Sequence, residues 1–155
     1  MDYPELLLLG KKIIDLPDTI RGNVVRKIYD LLDAAKNGGG VYKLYTDGNR
    51  SPEGVTYSYR IEGIGEPIEF TARLGALDTV PVAEYIAIIE GLRAIKDKGT
   101  VTIFCDAKVV VGQITGEYEV RAPHLRILRS QLRTEMGKFK NANVSWLKRE
   151  LNPAG

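Results

Sequence analysis

From Val41 to Leu147 the spacing of apolar residues switches between a period of two and a period near 3.6, in an order that few folds accommodate. Val41–Asp47 alternates and is rich in Val and Tyr, as a strand should be. Val55–Ile61 sets Val55, Tyr57, Tyr59 and Ile61 against Thr56, Ser58 and Arg60, and Ile68–Leu74 reads as a third strand. The short connections between these three predict an antiparallel meander. Residues 80–97 then place Ile88, Leu92 and Ile95 on one helical face, with Gly99 as the stop. Val101–Cys105 is short and, apart from Thr102, apolar, which suits a buried parallel strand. Helices follow at about 107–115 and 122–139, and Val144–Leu147 reads as the last strand. The order β-β-β-α-β-α-α-β predicts an α/β fold, a mixed five-stranded sheet with helices on both faces.

Upstream, Ile20, Val24, Ile28, Leu31, Leu32 and Ala35 fall at helical spacing over residues 18–36, with Pro17-Asp18 as a cap. Asn37-Gly38-Gly39-Gly40 breaks that pattern. Residues 1–40 are therefore read as an N-terminal helical extension and residues 41–155 as one domain. The single cysteine, Cys105, excludes an internal disulfide and fits a reducing compartment, so a cytoplasmic setting is expected. Leu6–Leu9 is the only purely aliphatic run, far short of the roughly 20 apolar residues that a membrane span needs. It follows Asp2 and Glu5 where a secretion signal would be basic. No membrane partner is expected, and the sequence sets no oligomeric state.

Charge is unevenly placed. The chain as a whole carries +2, yet residues 121–150 hold eight Lys/Arg against two Asp/Glu. A basic C-terminal third fits either a polyanionic partner or solvated helix faces. Arg126, Arg129 and Arg133 form a stripe beside the apolar one of Leu125, Leu128, Leu132 and Phe139. Such a stripe would either track phosphates or simply face solvent.

Three acids stand out by position. Asp47 ends the first strand and Asp106 ends the buried fourth strand, where open α/β sheets place their ligands. Glu84 lies in line with Ala87, Ile88, Gly91 and Ile95, the stripe that must face the sheet, whereas Glu90 points to the other side. Each has a structural reading by itself: Asp47-Gly48 as a turn, Asp106 as a helix cap, Glu84 as a charge favoured by its helix dipole. Together they would converge at one end of the sheet, and their mutual repulsion calls for a counter-charge. Divalent cations with oxygen ligands answer that need. His124 falls at a helix start, Cys105 and Trp146 are read as core, and Tyr57 and Tyr59 as packing residues.

Five motifs in register resemble ribonuclease H. Tyr45-Thr46-Asp47-Gly48 resembles the family's YTDG strand end, and Ala83-Glu84-Tyr85 with Ala87 and Glu90-Gly91-Leu92 resembles its AEYxAxxxGL helix. Asp106-Ala107-Lys108-Val109-Val110 with Gln113 resembles DSxxVVxxQ. Gly116-Glu117-Tyr118-Glu119-Val120 with Pro123 and Leu125 resembles the GxYxVxxPxL connection of the bacterial and archaeal branch. Arg149-Glu150 with Asn152 resembles the closing RExN. The resemblance implies a two-metal phosphodiesterase in which Asp47, Glu84 and Asp106 bind two Mg²⁺ or Mn²⁺ ions and the RNA strand of an RNA–DNA hybrid is cut.

Three departures accompany it. The family's fourth carboxylate would fall at position 156, after Gly155. Thr79-Val80-Pro81 replaces a Thr-Asn-Asn run whose asparagines sense 2′-hydroxyls in the family. The loop after the first strand is Asn49-Arg50-Ser51-Pro52-Glu53-Gly54, leaving Gly48, Asn49 and Arg50 as candidate nucleic-acid contacts. The first two departures favour a second reading, a ribonuclease H-like module that binds nucleic acid or protein with weakened or no turnover. A proofreading exonuclease fits poorly, because Asn49 stands where those enzymes carry an acid.

Overall fold

The protein is described from a computed structural model that covers residues 17–36, 39–63, 65–75 and 77–155. The Leu6–Leu9 run and Asn37-Gly38 lie outside the described residues, as do the side chains of Leu31, Leu32 and Ala35. The chain divides into two units, residues 1–38 and 39–155. In the first, helix α1 spans Asp18–Lys36, with Arg21 paired to Asp18 and with Ile20 and Tyr29 exposed.

In the second unit, β1 (Val41–Ser51), β2 (Gly54–Glu62) and β3 (Ile68–Arg73) form the expected antiparallel meander. Helix α2 (Val80–Ala94) crosses to β4 (Thr100–Cys105), which lies parallel to β1. Helices α3 (Lys108–Thr115) and α4 (Pro123–Gly137) lead to β5 (Asn141–Trp146), parallel to β4. A 3₁₀ turn at Arg149–Leu151 follows. The sheet order is β3-β2-β1-β4-β5. Among the described residues no helix is long and apolar enough to cross a membrane.

One face of the sheet holds the core. Leu44, Ile103, Val101 and Cys105 from the central strands meet Ile88 and Leu92 of α2, Val110 and Ile114 of α3, and Leu132 of α4. Each of these large aliphatic side chains, once fully buried, contributes about 1.5–3 kcal/mol relative to exposure. The expectation of helices on both faces is realised on this one face within residues 39–155. The other face carries Lys43, Tyr45, Thr102, Phe104 and Asn143, with Tyr45 stacked on Phe104 at 5.1 Å. Helix and sheet approach closely because Gly91 lacks a Cβ, which would sit 2.5 Å from Leu44 Cδ1.

Three boundaries differ most from the sequence reading. Strand β1 runs on to Ser51, so Asn49 and Arg50 pair with Thr56 and Val55 instead of forming a loop. Helix α2 stops at Ala94, well before Gly99, because Ile95 turns extended and buries its side chain, while Lys98 Nζ donates to the Leu92 carbonyl. Strand β5 begins at Asn141: its asparagines are poor strand formers, tolerated on an edge strand whose outer face is open.

Candidate metal centre

The parallel ladder between β1 and β4 runs from Val41↔Thr100 to Thr46↔Cys105, so Asp47 and Asp106 are the next residues on adjacent strands. Helix α2 brings the third acid. Thr79 caps it, its Oγ1 accepting from the Val82 amide at 3.4 Å, and Pro81 sits in the first turn, where no intrahelical N–H is needed. Glu84 follows one turn in, on the face pressed against β1. Gly48 permits that approach: a Cβ there would lie 2.9 Å from both Ala83 Cβ and the Glu84 nitrogen.

Carboxylate oxygens of Asp47, Glu84 and Asp106 all lie within 4.8 Å of one another. Asp47 is 5% exposed and Glu84 3%, while Asp106 is half-buried. Burial, aided by the charge of Asp106, pushes the Asp47 carboxyl up to about 6; Arg149 and the Gly48 amide pull the other way. Burial again dominates at Glu84, with the Asp47 charge next, and its carboxyl rises to about 8. Cys105 donates its weak S–H to Glu84 Oε2 at 3.6 Å, and burial raises the thiol far above its usual range, consistent with a small inert side chain. By contrast Glu90 is half-exposed and pairs with Arg93 at 3.3 Å.

Residues that the sequence reading missed complete the surroundings. Asn152, 7% exposed, donates Nδ2 to the Thr46 carbonyl at 2.9 Å and to Asp106 Oδ2 at 3.1 Å. Trp146, expected in the core, is instead 43% exposed and donates Nε1 to the Asp106 carbonyl at 3.1 Å, with Lys108 Nζ 5.3 Å above its ring. The RExN motif signalled Asn152 without showing its partner. Beside Glu84 opens a cleft of about 260 Å³ lined by Val80, Pro81, Val109, Val110 and Leu125, with Lys108 and Gln113 at its polar edge.

The other candidates sit apart from the three acids or are already engaged. Arg50, exposed on β1, donates to the Asp78 carbonyl at 2.9 Å. Arg126 donates to the Val120 carbonyl at 2.7 Å and Arg133 to that of Ile114 at 3.1 Å, so both brace the connection between α3 and α4. Arg129 is half-buried on the same helix, and Asn49 is exposed beside Gly48.

The donor set is chemically suited to a hard divalent cation: three carboxylates, two of them buried and unpaired with Lys or Arg among the described residues. A mixed sheet of this order, with two acids just past the end of the β1–β4 ladder and a third brought beside them by a helix, defines a ribonuclease H-like protein. A family described as reverse transcriptase-like matches residues 68–154, and the chain belongs to it, within the ribonuclease H family. Among solved structures it is similar to ribonuclease H1 of Halobacterium salinarum NRC-1, at 24% identity and a TM-score of 0.68, over 75% of this chain and 92% of that one. It is also similar to the N-terminal RNase H domain of a Mycobacterium tuberculosis protein, at 27% identity and a TM-score of 0.66, over 73% and 86% of the two chains. A third is LC11-RNase H1 from compost, in complex with an RNA/DNA hybrid, at 25% identity and a TM-score of 0.65, over 72% and 88%. No curated protein matches the sequence. The doubt about turnover drawn from a fourth carboxylate is not borne out.

Proposed function

We propose that residues 41–155 form a metal-dependent endoribonuclease that hydrolyses the RNA strand of RNA–DNA hybrids, behind an N-terminal extension of residues 1–40. The observation that carries this is the meeting of Asp47, Glu84 and Asp106 within 4.8 Å. Two Mg²⁺ or Mn²⁺ ions, when bound, would lower the pKa of water and neutralise charge on the departing 3′ oxygen. Asp47, Glu84 and Asp106 are the residues that would hold them. The chain's own part is to hold three carboxylates together where β1, β4 and α2 meet, with Cys105 and the core packed behind Glu84. No nucleophilic side chain is required.

Gly48, Asn49 and Arg50 on β1, with Arg126, Arg129 and Arg133 on α4, are the candidate contacts to nucleic acid. A hybrid substrate is supported by the similar protein whose structure contains an RNA/DNA hybrid. A cytoplasmic setting belongs to the same reading and rests on the lone buried cysteine. The apolar cleft built by Val80 and Pro81 supports one alternative, a ribonuclease H-like module that binds nucleic acid or a protein partner with little or no turnover. A labelled RNA–DNA hybrid incubated with the protein in Mg²⁺ and in Mn²⁺, beside Asp47→Asn, separates the two. Cutting that vanishes in Asp47→Asn is the expected result. Tight binding with no cutting by the unaltered protein would overturn the enzyme reading in favour of the binding module.

A further inference from the structure

Backbone pairing between β1 and β4 ends at Thr46↔Cys105, one residue short of the two aspartates. Beyond that point no ladder hydrogen bond sets the distance between the strand ends, and two carboxylates there repel each other. A single buried side chain spans the gap. Asn152 Nδ2 donates to the carbonyl of Thr46, the residue before Asp47, and to Asp106 Oδ2. Its Oδ1 accepts from the Ala154 amide at 3.1 Å, which fixes the amide orientation, since a flipped amide would set an acceptor against a carbonyl and a carboxylate.

The segment that presents Asn152 is itself tied down on two strands. Leu147 N donates to the Cys105 carbonyl at 3.0 Å, and Ser58 Oγ of β2 donates to the Ala154 carbonyl at 2.6 Å. Trp146 holds the main chain of Asp106 from the same side. Asp106 is the most exposed of the three acids and the one that burial constrains least.

We infer that Asn152 is a positioning residue that sets the separation of Asp47 and Asp106 and thereby the affinity of the site for a divalent cation. The inference rests on the metal-dependent reading above. Donation to Oδ2 would leave the other oxygen of Asp106 available to an ion, and loss of such outer hydrogen bonds to metal-binding carboxylates typically weakens metal binding about 10–100-fold.

The experiment is calorimetric titration of Mn²⁺ into the full chain as it stands and into Asn152→Ala, Asn152→Ser and Asp106→Asn, with thermal melts in EDTA to establish folding. Hybrid cleavage is followed in parallel against Mn²⁺ concentration. Asn152→Ala is expected to raise the Mn²⁺ dissociation constant roughly 10–100-fold, with the serine variant between alanine and wild type. The Mn²⁺ concentration for half-maximal cleavage should rise with it, while the rate at saturating Mn²⁺ stays near the wild-type value. A purely structural asparagine would lower the melting temperature and leave the dissociation constant unchanged; that result overturns the inference and leaves the proposed function standing. A wild-type protein that neither binds Mn²⁺ nor cuts overturns both.

Discussion

Replacing Glu84 by glutamine should stabilise the metal-free protein at alkaline pH while abolishing its response to divalent cations. The Glu84 carboxyl lies near 4.5 in an unconstrained chain and about 8 in the fold, because it is buried beside Asp47. Between those values the native state holds a proton that the unfolded state has lost. The associated stability is complete below about 4.5 and disappears as pH rises through about 8. A rise of this size corresponds to roughly 5 kcal/mol of preference for the neutral carboxyl. Part of this is shared with Asp47, and a buried glutamine amide must find partners of its own, so a net gain of about 2–3 kcal/mol is expected above pH 8. For a chain of this length that is a rise in Tm on the order of 10 °C. Thermal melts in EDTA from about pH 5 to about pH 9 measure it directly. Wild type should fall away from Glu84→Gln as pH increases, and millimolar Mg²⁺ should rescue wild type alone. Parallel melting curves across the whole range, or a Mg²⁺ rescue of both proteins, would refute the electrostatic account of the site.

Three further outcomes follow from the same geometry. Cation binding near neutral pH should release about one proton, because the Glu84 carboxyl must ionise first; calorimetry in buffers of different ionisation enthalpy reads this, and the release should vanish well above pH 8. Gly48→Ala would drive a Cβ against Ala83 and the Glu84 backbone at 2.9 Å, costing about 1–3 kcal/mol and weakening cation binding by moving Glu84, as denaturant unfolding and Mn²⁺ titration would show. Leu132→Ala, at a fully buried position far along α4, should cost about 2–5 kcal/mol in urea unfolding yet leave the Mn²⁺ dissociation constant unchanged.

The elements and the three acids were legible in the sequence because both depend on local order. Alternation in β1 to β3, the apolar run of β4 and the stripe on α2 are properties of neighbouring residues, and Glu84 declared itself by interrupting that stripe. Asp106 was visible at the end of a strand for the same reason; Asp47 was read as the end of the first strand, which in the structure continues to Ser51. Strand β1's continuation through Asn49 and Arg50 was not, because only pairing with Thr56 and Val55 across the hairpin makes those polar residues extended. Nor does the sequence tell that Arg126 donates to a carbonyl of the preceding connection and Arg133 to one in the last turn of α3, since a basic stripe looks alike whether it faces phosphate or backbone. The sharpest division is at Asn152 and Trp146. Their partners, Thr46 and Asp106, lie 106 and 46 positions from Asn152, and 40 positions separate Trp146 from Asp106. Short-range periodicity determined which segments are strands and helices and on which of them, or just past which of them, a carboxylate stands. Only the tertiary structure decided what holds those carboxylates at a common distance, because a hydrogen bond needs its partner within about 3 Å and chain neighbours alone do not supply it.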